Sequence, residues 1–180
     1  MKRFLIVFFT ISLGCAVPLF ALYKYTTKDK LTDKSFQYNL SEPQNNYILP
    51  VVLNEISGIT AINQETVACI QDEIEAIFIY DLKREKLLKE RSFNIKGDYE
   101  GLALVANTMY LLRSDGVLIE HADYTSTSIK TKEYQLNLPS PNNEGLCYDK
   151  KNNRLLIAAK SKTVKEVEKK SIRLVYGFEL

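Results

Sequence analysis

Ser57-Gly58-Ile59-Thr60-Ala61, Glu100-Gly101-Leu102-Ala103-Leu104 and Glu144-Gly145-Leu146-Cys147-Tyr148 can be laid on one another, and their glycines stand 43 and 44 residues apart. A fixed period of this size is the mark of a repeated structural unit. The likeness extends downstream: fourteen residues after Gly58 comes Asp72, and fourteen after Gly101 comes Asp115. The third copy departs at that place, with Ala159 followed by Lys160.

Within each period the apolar runs are short and separated by turn residues, which predicts strands rather than paired helices. The first unit reads as strands over Gly58–Ile62, Thr66–Gln71, Ala76–Leu82 and Leu87–Phe93, the second over Gly101–Val105, Thr108–Arg113, Val117–Ala122 and Lys132–Leu138. The third supplies Leu146–Tyr148, Arg154–Ala159 and Ile172–Phe178, without a fourth strand. Four strands in about 44 residues is the size of a β-propeller blade, a small antiparallel sheet packed face to face on its neighbours. The fold class is therefore all-β, a partial β-propeller of about three four-stranded blades. A ring of even four blades needs about 176 residues, more than Ser35 to Leu180 provides. The reading is thus of a propeller domain over residues 35–180, incomplete at its C-terminus, or of open sheet edges that invite self-association.

The N-terminus is a separate object. Lys2 and Arg3 precede a mostly apolar run from Phe4 to Tyr23, and Lys24, Lys28 and Lys30 follow it. Twenty residues of helix span about 30 Å, the thickness of a bilayer core. Residues 1–25 are read as a membrane anchor or signal segment and 26–34 as a tether. The preferred arrangement is single-pass, with the domain facing the periplasm or exterior. Cleavage at Gly14-Cys15-Ala16, or lipidation at Cys15, would make the protein secreted or a lipoprotein.

A net charge of +2, with 46% hydrophobic and 26% charged residues, describes a globular chain without the basic footprint that nucleic acid requires. Three dispersed cysteines and the single His121 exclude a zinc motif. Cys69 and Cys147 lie in apolar strand patterns and are read as buried small hydrophobes.

Four motifs in blade order resemble the SdiA-regulated family: Leu53-Asn54-Glu55-Ile56-Ser57-Gly58-Ile59, Asp98-Tyr99-Glu100-Gly101-Leu102-Ala103, Leu111-Leu112-Arg113-Ser114-Asp115-Gly116 and Asn142-Asn143-Glu144-Gly145-Leu146. The resemblance runs from about Tyr47 to Leu180. It implies a membrane-anchored or exported bacterial β-propeller, related to propellers described as phytase-like, whose members continue for further blades.

The candidate site follows from blade geometry. A blade's first strand lines the central channel, so the residue before each glycine would point toward the axis or its mouth. Glu100 and Glu144 hold that place, with Ser57 at the equivalent position and Glu55 close by. Such carboxylates repel one another unless a cation or basic group sits among them. Calcium suits an all-oxygen set, which makes Glu55, Glu100 and Glu144 the metal candidates. Alternatively, each glutamate accepts backbone hydrogen bonds and pins adjacent blades together. Asp115 precedes Gly116 in a hairpin-like pair and is read as a turn residue or a ligand contact. Arg113 would balance a channel carboxylate, hold an anion or stand as an ordinary surface residue. His121 is read as structural, and Lys160 to Lys170 as a solvated loop or short helix. No nucleophile and base pair stands out, which favours a module that binds an ion, small ligand or protein. A calcium-dependent phosphoesterase resembling propeller phytases is the alternative.

Overall fold

A computed structural model describes residues 41–126, 130–160 and 173–180. The apolar N-terminal run, Phe36 to Leu40 and residues 161–170 of the lysine-rich run lie outside the described residues. The chain divides into two units, Met1–Asn46 and Tyr47–Leu180. Among the described residues no helix is long and apolar enough to cross a membrane.

The second unit is almost entirely β. After a short 3-10 turn over Val51–Leu53 come β1 (Ile56–Ala61), β2 (Thr66–Gln71), β3 (Ala76–Asp81), β4 (Lys86–Ser92), β5 (Tyr99–Val105), β6 (Thr108–Arg113), β7 (Val117–Ala122), β8 (Lys130–Gln135), β9 (Asn143–Asp149), β10 (Arg154–Ala159) and β11 (Val175–Glu179). They form three antiparallel meanders: β1-β2-β3-β4, β5-β6-β7-β8 and β9-β10-β11. Each sheet corresponds to one sequence period, so the repeat is a blade.

Residue chemistry decides which strand lies where. β3 is apolar along most of its length and is buried at every position, because both faces of its sheet are covered. β4 and β8 carry Lys86, Lys89, Glu90, Lys130, Lys132 and Glu133 and lie mostly exposed at sheet edges, where charge discourages pairing with another chain. Tight turns separate the strands: Asp81 Oδ1 accepts the Lys83 and Arg84 amides at 3.0 and 2.8 Å, closing the β3–β4 hairpin.

Sheets one and two meet through Ile70, Ile77, Leu111, Ile119 and Tyr99. Each such aliphatic side chain contributes about 1.5–3 kcal/mol when withdrawn from water. Tyr99 is fully buried, stacks edge-on against Phe93 at 5.1 Å and donates its hydroxyl to the Ile95 carbonyl at 2.5 Å. Leu118 of sheet two and Leu155 of sheet three belong to one further buried cluster. The opposite face of sheet one, built on Cys69, Phe78 and Tyr80, is covered by Leu49, Val52 and Leu53, and the Tyr80 hydroxyl donates to the Ile48 carbonyl at 2.9 Å.

The aligned glycines explain how the sheets approach. A Cβ at Gly58 would stand 3.0 Å from the Leu102 amide nitrogen, and one at Gly101 would stand 2.6 Å from the Leu146 Cβ. Leu102 and Leu146 each follow the next glycine in the series, so one step carries each sheet onto its successor.

Several sequence expectations are corrected. Cys69 is buried but Cys147 is exposed, and both are free. Cys147 pairs with Leu156 on the face of sheet three that looks away from sheet two, whereas β10 buries alternate residues on the other face. β8 lies earlier than Lys132–Leu138: after Gln135 the Leu138 amide donates back to the Leu136 carbonyl at 2.9 Å, which turns the chain out of the ladder before Pro139. Asp72 and Asp115 are not structural equivalents. Gly58 pairs with Ile70, Gly101 with Leu112 and Gly145 with Ala158, so the hairpins differ in length and equal counts lead to different places.

Candidate functional site

The first strand of every sheet carries the same irregularity. Pairing runs from Ile56–Gln71 to Gly58–Ile70, from Tyr99–Arg113 to Gly101–Leu112, and from Asn143–Ala159 to Gly145–Ala158. In each case one residue has no partner across the ladder: Ser57, Glu100 and Glu144. A β-bulge of this kind leaves its extra residue unpaired and bends the strand, which re-aims side chains. The position before each glycine is thereby singled out by the backbone itself.

Around the bulge two further positions recur. The residue two before it donates no strand pair but accepts a bond from the end of the second strand: Asp72 N to the Glu55 carbonyl at 3.4 Å, Ser114 N to that of Asp98 at 2.9 Å and Lys160 N to that of Asn142 at 3.0 Å. Asp72, Ser114 and Lys160 are therefore equivalent, as are Glu55, Asp98 and Asn142.

Among the described residues these positions assemble an acidic cluster with one base in it. The Glu144 carboxylate accepts from Lys160 Nζ at 2.5 Å and from Asn142 Nδ2 at 3.1 Å. Among the described residues Glu100 has no ion-pair partner within salt-bridge distance. Its carboxyl is held above the usual value by burial first, then by the negative charges of Asp98 and Glu144; Lys160 opposes the shift and Asp72 adds to it. Lys160 is held more firmly protonated than an ordinary lysine, first by its bond to Glu144, then by that carboxylate's charge. Ser57 Oγ, Asp72 Oδ1 and Asn142 Oδ1 are buried atoms with no hydrogen-bond partner. The structure thus brings Glu100 and Glu144 together with Asp98, Asp72 and Lys160, and sets Ser57 at the matching bulge. Glu55 occupies the place of Asp98 in sheet one, with its side chain exposed.

Among the described residues no three His, Cys, Asp or Glu side chains converge closely enough to hold a metal ion. Among the described residues the basic group that answers these carboxylates is Lys160, which pairs with Glu144 and leaves Glu100 without an ion-pair partner. Lys160 opens the run expected to be a solvated loop or short helix, and the departure of the third copy at this place is the sequence signal that marks it.

Arg113 and Asp115 form a different group. Arg113 Nε and Nη2 bond the Asp115 carboxylate at 3.1 and 2.5 Å, and Glu133 lies 4.0 Å from Nη1. The guanidinium stem packs against Gly97, where a Cβ would meet Arg113 Cδ at 2.5 Å. Asp115 Oδ1 also accepts the Val117 amide at 3.3 Å, so the pair closes the β6–β7 turn. His121 is buried between sheets one and two, and burial, then the charge of Arg91, hold its imidazole below the ordinary value.

No family model matches the chain, and no curated protein matches it. Solved structures do. A chain of the mitotic checkpoint complex superposes with TM-score 0.51 at 11% identity, over 69% of this chain and 34% of that one. Streptogramin B lyase gives 0.46 at 14% identity, over 70% and 41%, and virginiamycin B lyase from Staphylococcus aureus 0.46 at 13%, over 74% and 44%. The protein spans less than half the length of each. Three successive antiparallel meanders, each one sequence period, make the fold of this chain part of a β-propeller.

Proposed function

We propose that the protein is a non-catalytic binding module of the cell envelope, in which the mouth formed by the bulged strand ends takes a ligand that presents positive charge and hydrogen-bond donors. The observation that carries this reading is the pair of bulge-borne carboxylates: Glu144 is paired with Lys160, while Glu100, ringed by Asp98, Glu144 and Asp72, has no ion-pair partner among the described residues. Ser57, Asp72 and Asn142 add oxygens able to accept. Calcium that keeps part of its water shell and a ligand's ammonium group share the required chemistry, since both offer charge together with donors. The envelope setting rests on the apolar run from Phe4 to Tyr23, and the motif resemblance to the SdiA-regulated family agrees with it. A second copy is a further partner we propose, with contact at the sheet edges discouraged on β4 and β8 by their charges.

The phosphoesterase reading asks for a basic cluster beside carboxylate-held metal. Arg113, the residue suited to that task, is committed to Asp115.

Calorimetric titration of the purified full chain with calcium chloride and with methylammonium chloride tests the proposal, using wild type beside the Glu100→Gln, Glu144→Gln double variant. Saturable binding of either probe that is lost in the variant is the expected result. Absence of binding by both, or binding that survives in the variant, overturns it.

A further inference from the structure

A second concavity lies away from the acidic mouth. Between sheets two and three opens a cleft of about 360 Å³, within the size range of small-molecule sites. Tyr110 and Leu155 line it from the strand ends opposite to Arg113 and Lys160, so it lies toward the other end of the blades. Its walls are mainly carbon, with the rings of Tyr110, Tyr134 and Phe178 among them, and among the described residues its charged side chains are Glu120 and Glu179. The Tyr134 hydroxyl donates to Glu120 Oε2 at 2.6 Å, which orients that carboxylate. Among the described residues no lysine or arginine lines the cleft.

Aromatic faces beside carboxylates attract cations, because the ring quadrupole and the anionic oxygens act in the same sense. Tyr134 already engages one: Lys132 Nζ stands 4.8 Å from its ring centroid. Glu120 and Lys132 are cross-strand partners, so this ammonium partly balances the carboxylate from outside the lining. A metal ion would gain little from walls of this kind. An ammonium on an aromatic body would place charge at Glu120 and bury its ring against Leu118 and Leu155. We infer that the cleft between sheets two and three is a binding site for a small organic cation of this class, independent of the acidic mouth.

The test uses the purified full chain titrated with phenethylammonium and, in parallel, with its neutral analogue 2-phenylethanol, followed by amide chemical shifts. Saturable shifts centred on Leu118, Tyr134 and Leu155 are expected, with the ammonium preferred about tenfold, the scale of one partly desolvated charge contact. Glu120→Gln should erase that preference, and Lys132→Gln, which removes the competing ammonium, should enlarge it. Equal affinity of wild type for both probes, an unchanged preference in both variants, or shifts centred on Ser57 and Glu100 instead would overturn the inference. The wild-type comparison stands even if a variant fails to fold, and failure at the acidic mouth leaves this result untouched.

Discussion

Gly101 faces Leu146 so closely that a Cβ on the glycine would stand 2.6 Å from the Leu146 Cβ and 3.2 Å from its backbone nitrogen. The contact joins the first strands of successive sheets, and Gly58 approaches Leu102 in the same way at 3.0 Å while also meeting Ile70 of its own sheet at 2.9 Å. Gly145, by contrast, meets Ala158 of its own sheet.

Gly101→Ala is expected to cost about 1–3 kcal/mol, the usual penalty of forcing atoms into a filled space. Gly145→Ala should cost less, because only its own sheet has to yield. Urea denaturation of the two variants measures the difference, and equal losses would contradict the inter-sheet account.

Glu100 provides a pH signature. Its folded carboxyl titrates above its unfolded value, so the folded state binds more protons in the interval between them. Stability contributed by this group is present at low pH and falls as pH rises through that interval. Glu100→Gln should therefore raise the melting temperature at pH 7, with the advantage shrinking toward pH 4. A variant less stable than wild type at pH 7 would mean that the carboxylate is a structural acceptor.

Tyr99→Phe removes the hydroxyl that satisfies the Ile95 carbonyl while keeping the ring against Phe93. A loss of about 1 kcal/mol is expected in chemical denaturation, the usual net worth of one such bond. Tyr99→Leu should cost more, since it also removes the edge-on ring contact.

The cysteines should differ sharply toward a thiol reagent. Burial pushes the Cys69 thiol up to about 11, whereas Cys147 is exposed. At pH 7.5 peptide mapping should find Cys147 modified and Cys69 intact until denaturant is added, because the thiolate is the reacting form. Rapid modification of native Cys69 would place it outside the core.

The strands β2, β6, β7 and β10 coincide with their sequence readings, because apolar runs bounded by turn residues specify the pleat locally. The beginnings of β1, β5 and β9 were not legible in that way. Each strand extends past the glycine to a bulge, and a bulge exists only relative to a partner strand. The same holds for Asp72 and Asp115: counting from the glycines equates them, while hairpins of unequal length set Asp72 beside Ser114 and Lys160 in the repeat. The place of Lys160 beside Glu144, and of Arg113 beside Asp115, is set by that register and not by the count.

Periodicity along the chain determined the repeat, the blade and the residue before each glycine, because alternation and turn chemistry act between near neighbours. Which charges face one another was decided by ladder register and by the stacking of sheets, which bring residues distant along the chain into one electrostatic field. Glu100 with Glu144, Glu144 with Lys160, and the burial of Cys69 against the exposure of Cys147 all belong to that second kind.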